Sequence, residues 1–251
     1  MEGIHISLQP EIIGHIGAFP VSNSFLLSFF TAVLLVGGGL FLVRSLRLMP
    51  GKLQNGAEIV VGGMLDFGSQ VLGGDRDQAK RFFPLVAAFF LFILLNNWMG
   101  ILPGVGAIGL EEVYGGESAF VPLLRSANSD LNTTLALALV SVFAVQLYGM
   151  RRLGFFSYLS KFFQFRGGPV QIFVGLLELV SEFAKVLSFS FRLFGNVFAG
   201  EVLLVVTMAL VPVIVPVPFF ALEIFVGFIQ AFIFAMLTLI FLKIATETVE
   251  H

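Results

Sequence analysis

No cysteine occurs among the 251 residues, which excludes a disulfide framework, a thiolate metal site and a cysteine nucleophile. Histidine is nearly as scarce. The three present, at 5, 15 and 251, lie near the termini and outside any apolar run, so neither a histidine metal centre nor a metal-borne cofactor is expected. Charged residues make up only 12% of the chain, against roughly a quarter in an ordinary soluble domain. The formal net charge of −2 carries no clustered basic excess, and nucleic acid is therefore not an expected partner. What fills the chain is apolar: 57% hydrophobic residues, with 31 Phe, and a mean hydropathy of +0.98. A globule of 27.3 kDa cannot bury that much and still keep a wettable skin. Its main solvent must be lipid.

The first apolar run, Phe25 to Val43, is 19 residues long, close to the roughly 20 that cross a 30 Å hydrocarbon core. It is not a cleavable signal peptide, because no Lys or Arg precedes it while Glu2 and Glu11 do. Gly37-Gly38-Gly39 within it suggests close helix packing and not a phosphate loop, since no GxxxxGK[ST] surrounds it. From Leu53 to about residue 73, apolar positions recur at three-four spacing among Gln54, Glu58, Asp66 and Gln70. That pattern predicts an amphipathic helix lying in the interface. A second span covers Phe82 to Gly100, with Pro84 in its first turn, where a missing N–H is tolerated. A third covers Leu131 to Met150, after a loop from Ile101 to Asp130 whose only base is Arg125. Outside the spans, ten Lys and Arg (44, 47, 52, 76, 80, 81, 151, 152, 161, 166) fall on one side and one (125) on the other. The positive-inside rule then puts the N-terminus outside and the C-terminus in the cytoplasm.

The last third differs in kind. A proline-free helix over residues 170–211 would be about 63 Å long at 1.5 Å per residue, roughly twice the membrane thickness. After Pro212, Pro216 and Pro218 a second long helix runs over residues 219–246. The sequence thus predicts an all-α polytopic membrane protein of one domain: three N-terminal spans, an interfacial helix, and a long, strongly tilted two-helix hairpin.

That hairpin holds Glu178, Glu182, Lys185, Arg192, Glu201 and Glu223, with the amides Asn196 and Gln230. Each central charge costs about 2.5–3.5 kcal/mol on insertion scales, so each needs a partner, water or a function. Glu182 and Lys185, three apart, suit a structural ion pair. At 100° per residue, positions 178, 182, 185, 192 and 196 fall within roughly 80° of one another, whereas 201 lies about 140° from 178. Glu223 and Gln230 share a face two turns apart. Arg192 and Gln230 fall near mid-depth, Glu178 toward the cytoplasm, and Glu201 with Glu223 toward the outside. Arginine does not titrate in proteins, so Arg192 is a fixed cation and not a carrier; carboxyl groups can serve as relay stations.

The run Ser190-Phe191-Arg192-Leu193-Phe194-Gly195-Asn196-Val197-Phe198-Ala199-Gly200-Glu201 resembles the signature of subunit a of the F-type ATP synthase. The resemblance extends to Asn96–Gly104, Asp130–Leu137 and Gln230–Phe234, and with the span layout it covers nearly the whole chain. It implies a stator beside a rotating ring of c subunits, each with a mid-membrane carboxylate, and peripheral-stalk b subunits with the rest of the complex as further partners. In that scheme Arg192 matches the arginine that faces the ring carboxylate and separates two aqueous half-channels. Glu201, Glu223, Asn196 and Gln230 match the outer half-channel and the arginine's surroundings, Glu178 the cytoplasmic half-channel, and Asp130 the outer channel's mouth. Glu at 223 is one of two residue types the family uses there, His being the other. The Ala199-Gly200-Glu201 ending is of the bacterial kind and implies a bacterial inner membrane. The resemblance implies no catalysis in this chain and no cofactor.

The alternative is a secondary transporter or ion channel with a charged midplane site. Such folds often show internal repeats, and none is visible: the three N-terminal spans carry almost no buried charge. An enzyme is disfavoured by the lack of HExxH or GxSxG in the spans.

Overall fold

A computed structural model describes residues 10–17, 19–102, 109–114, 117–160, 162, 169–211 and 214–247. Lys161, Arg166, Pro212, His5 and His251 lie outside the described residues. Among the described residues, seven helices carry the fold: α1 Asn23–Arg44, α2 Lys52–Val71, α3 Arg76–Ile101, α4 Leu131–Leu153, the short α5 Phe155–Ser160, α6 Pro169–Leu210 and α7 Pro216–Thr246. Five of them, α1, α3, α4, α6 and α7, are long and apolar enough to cross a membrane. Antiparallel hairpins accompany them, β1 Ile12–Ile16 with β2 Phe19–Ser22 and β3 Gly109–Tyr114 with β4 Glu117–Pro122, and a 3₁₀ turn, Ala127–Ser129, precedes α4. These hairpins lie where the sequence showed only an N-terminal lead and a loop.

Helix starts follow local chemistry. The Ser22 hydroxyl accepts from the Phe25 amide to cap α1, and the Asp130 carboxylate accepts from the Asn132 amide to cap α4. Asp75 caps α3 by accepting from the amides of Asp77 and Gln78, which starts that helix at Arg76. Pro84 is consequently inside α3 and not in its first turn, a correction that follows from an acidic cap outranking the apolar boundary. Pro216 opens α7 with Pro218 close behind, so both belong to the helix's first turn, where free amides make proline harmless.

The core is built by α3, α4, α6 and α7. Phe82, Val86, Val145, Leu239 and Leu242 pack at one end; Ile93, Ala138, Phe189, Leu193, Val197 and Phe234 pack at the other. Phe189 stacks on Phe234 with ring centroids 4.8 Å apart. Buried polar pairs pin the helices in register: Ser141 with Thr238 at 2.8 Å, Thr134 with Ser190 at 3.2 Å, and Thr31 donating to Asn96 at 3.2 Å. In an apolar medium such satisfied pairs tie helices together because a polar group has few alternative partners. By contrast Gly37, Gly38 and Gly39 have open space where a side chain would stand. Among the described residues no neighbour packs against them, because α1 is buried only through its first turns, at Asn23, Ser24, Leu27 and Thr31.

The two ends of the bundle are distinct. At one, the Asn23 amide group donates to the Pro122 carbonyl and the Ser24 hydroxyl to Asp130, joining α1 to the second hairpin and to the cap of α4. At the other, Lys243 reaches the Val71 carbonyl and Gln78 the Thr246 hydroxyl, joining α2, α3 and the end of α7.

Candidate functional site

Helix α6 spans 42 residues and presents different faces to different neighbours along its length. Arg192 is exposed on the outer surface of the bundle, and the hydrogen bond it makes is from Nη2 to the Ser188 hydroxyl one turn earlier, at 3.3 Å. Among the described residues it has no carboxylate partner. Asn196, one turn further on, is also exposed. Their neighbours in sequence explain the orientation: Leu193 and Val197 are buried in the core cluster shared with α3, α4 and α7, so the polar positions beside them point away.

The acidic stripe read from the sequence divides here. Glu182 and Lys185 form the expected ion pair at 2.6 Å, and the Lys185 ammonium lies 4.8 Å from the Phe241 ring centroid on α7. Glu178 is half-buried on the same stretch. Next to them stands Tyr158 of α5, which the sequence did not single out; its hydroxyl donates to Gln146 Oε1 at 2.6 Å. Burial first, then the Glu182 and Glu178 carboxylates, push that hydroxyl up to about 12. Positions 178–185 thus have α5 and α7 as cover, while 192 and 196 have none among the described residues.

Nine residues beyond Arg192, about 13.5 Å along the axis, Glu201 faces the interior. Arg125, from the segment between β4 and the 3₁₀ turn, donates through Nε to both carboxylate oxygens at 2.9 and 3.2 Å. Glu223 of α7 is buried and lines the same cavity of about 590 Å³ together with Asn97, Ser126, Arg125 and Glu201. Two glycines make this convergence possible. A Cβ on Gly200 would land on the Glu223 carboxylate, and one on Gly100 would land against Ser126, so α7 and the Arg125 segment can approach α6 and α3 closely. Asn97 is held by donating to the Gly227 carbonyl at 3.0 Å and accepting from Asn128 at 2.7 Å.

The structure therefore brings Glu201 and Glu223 together and leaves other sequence candidates apart. Gln230 is buried on α7, seven residues past Glu223, and does not line the cavity. Asp130 caps α4 and accepts from Ser24 at 3.1 Å; it is likewise outside the cavity wall. Arg125 is the residue that sequence reasoning missed as a site member. The signal available for it was its standing as the sole base of an otherwise acidic segment.

Comparison with known proteins completes the site. The family model described as "ATP synthase A chain" matches residues 25–243. A Campylobacter jejuni protein named "ATP synthase subunit a" is 34% identical over 210 residues, covering 82% of each chain. A Helicobacter pylori protein of the same name is 32% identical over 238 residues, covering 92% of this chain and 94% of that one.

Proposed function

This chain belongs to the ATP synthase A chain family, and from that premise we propose that it is the ion-translocating stator subunit of a rotary F-type ATP synthase, itself without catalytic chemistry. The carrying observation is the division of charge on α6. A permanent cation, Arg192, faces outward without a carboxylate partner among the described residues, while Glu201 and Glu223 converge on one cavity within the bundle.

An outward arginine in a lipid-facing belt is costly unless a carboxylate comes to it. The ring of c subunits supplies one on each subunit, and Arg192 holds whichever carboxylate is opposite. A proton arriving from outside through Glu223 and Glu201 neutralises that carboxylate, with Asn196 and Gln230 as the polar groups beside the arginine. An uncharged acid is far cheaper in lipid, so it leaves Arg192 and rotates. After nearly a full turn it meets the cytoplasmic half-channel, gives its proton toward Glu178, and returns charged to Arg192. A fixed cation between the two half-channels blocks direct hopping of protons. The drive is about 2.3 kcal/mol per charge per 100 mV, plus the pH difference. The site sits in a bacterial inner membrane with the N-terminus outside and the C-terminus in the cytoplasm; b subunits of the peripheral stalk keep the chain from turning with the ring.

The natural absence of cysteine makes single-cysteine labelling a direct test. Cysteine at 201 or 223 should react with a membrane-impermeant thiol reagent added outside, and cysteine at 178 with reagent added on the cytoplasmic side. Reversed accessibility would overturn the two-channel arrangement.

A further inference from the structure

The proton path described above gives Arg125 no task, yet its geometry is among the most constrained in the cavity. The side chain is 8% exposed. Its Nε donates to both oxygens of Glu201 at 2.9 and 3.2 Å, and its guanidinium carbon lies 6.0 Å from the Phe198 ring centroid one turn back on α6. Gly100 lets its segment press against α3, so the guanidinium is delivered to Glu201 by backbone packing and not by a flexible reach. Glu223 is treated differently. It is 6% exposed, it shares the cavity wall, and among the described residues no donor reaches its carboxyl group. The remaining described polar groups of the wall are the amide Asn97 from α3 and the hydroxyl Ser126, neither of which titrates. Three charged side chains thus face one another, Arg125 from the segment before α4, Glu201 from α6 and Glu223 from α7, and one of the two acids is already engaged.

We propose that Arg125 is a positioning residue of the outer proton path: its guanidinium occupies the Glu201 carboxylate and leaves Glu223 as the carboxyl that takes up the arriving proton. This rests on the half-channel reading above and goes beyond it by giving the two acids different tasks. Glu201 with Arg125 forms an ion pair that braces the cavity and stands second in the path. Glu223 is the group that takes the proton first. A guanidinium cannot give up its proton under working conditions, so Arg125 is not itself a relay station.

The test uses the whole complex in proteoliposomes, with ATP synthesis measured at fixed membrane potential while pH on the outer side of the protein is varied. Arg125→Lys, which keeps a cation for Glu201, should retain the pH profile. Arg125→Gln releases Glu201 as a second carboxyl open to the arriving proton and should shift the half-maximal outer pH by at least about half a unit, roughly threefold in proton concentration. Glu223→Gln should cut the rate by about a hundredfold or more. The double variant Arg125→Gln/Glu201→Gln removes the pair and spares Glu223; because it also takes a station out of the path it should synthesise ATP more slowly, but with the original half-maximal outer pH. It also decides the matter where Arg125→Gln alone does not assemble, because it leaves no unpaired buried charge. An Arg125→Gln complex of lowered abundance but unmoved profile would mean that Arg125 only braces the fold and would overturn the proposal. So would a double variant as inactive as Glu223→Gln. An Arg192→Ala complex run alongside separates the two levels: continued coupled synthesis there sinks the half-channel reading itself, whereas its loss beside an unmoved Arg125→Gln profile sinks only the task given to Arg125.

Discussion

Gly200 stands beside Glu201 in sequence but serves Glu223 in space, since any Cβ at 200 would occupy the Glu223 carboxylate's position. Gly200→Ala should therefore strain the α6–α7 contact by about 1–3 kcal/mol, and displacement of the carboxyl group should lower coupled ATP synthesis by about tenfold or more. Assays of assembled complex at equal abundance check this; unimpaired synthesis would show that the close approach is dispensable. Asp130 presents the opposite case, a residue whose visible task is structural. It caps α4 and accepts from Ser24. Asp130→Ala should cost about 1 kcal/mol, read as lower thermal stability of the detergent-solubilised complex, while Asp130→Asn, an equally good cap, should keep both stability and pumping. Loss of pumping in a stable Asp130→Asn complex would restore Asp130 to the channel. Residue identity was legible for Arg192 because an arginine amid an apolar run needs a reason that composition alone exposes. Arg125 was not, because its partner lies 76 residues away and no periodicity links a loop to a helix face.

At the scale of elements, apolar length was the legible quantity. Each of the five long helices announces itself by a local run, and local runs survive any tertiary arrangement. Boundaries followed finer chemistry: Asp75 moved the start of α3 back to Arg76, and Pro216 joined α7. The two β-hairpins were not legible, since four- to six-residue strands carry too short a pattern to stand out from a loop. The stripe on α6 was legible as an angle but not as an environment, because cover by α5 and α7 at 178–185 depends on where other elements pack. That cover yields a pH test. The Tyr158 hydroxyl is favoured in its neutral form, with its ordinary value near 10.0 raised to about 12. The docking of α5 it supports is therefore complete below about pH 10 and is lost as pH climbs toward 12. Hydrogen exchange across α5 in the solubilised complex should rise over that interval. Tyr158→Phe, which cannot ionise, should abolish the rise; an unchanged rise would assign it to another group.

For the whole molecule, the ordering of charge is the main result. Few charges are present, and among the described residues the fold gives them four main settings: basic flanks such as Arg44, Arg151 and Arg152, exposed at helix ends; the Glu182–Lys185 ion pair within α6; a cluster of Arg125, Glu201 and Glu223 around one cavity, with Glu201 the most exposed of the three; and Arg192, exposed on the outer surface without a carboxylate partner. A transporter with a midplane site would converge its charges inward, and here the acids that line the cavity, Glu201 and Glu223, are separated from an arginine that faces away from them. The account stands or falls on that arginine. ATP-driven proton pumping by inverted membrane vesicles carrying Arg192→Ala, with the complex assembled to normal levels, is predicted to fall to background, and Arg192→Lys to fail nearly as badly because lysine can yield its proton in an apolar setting. Pumping at the unsubstituted rate in Arg192→Ala vesicles would contradict it.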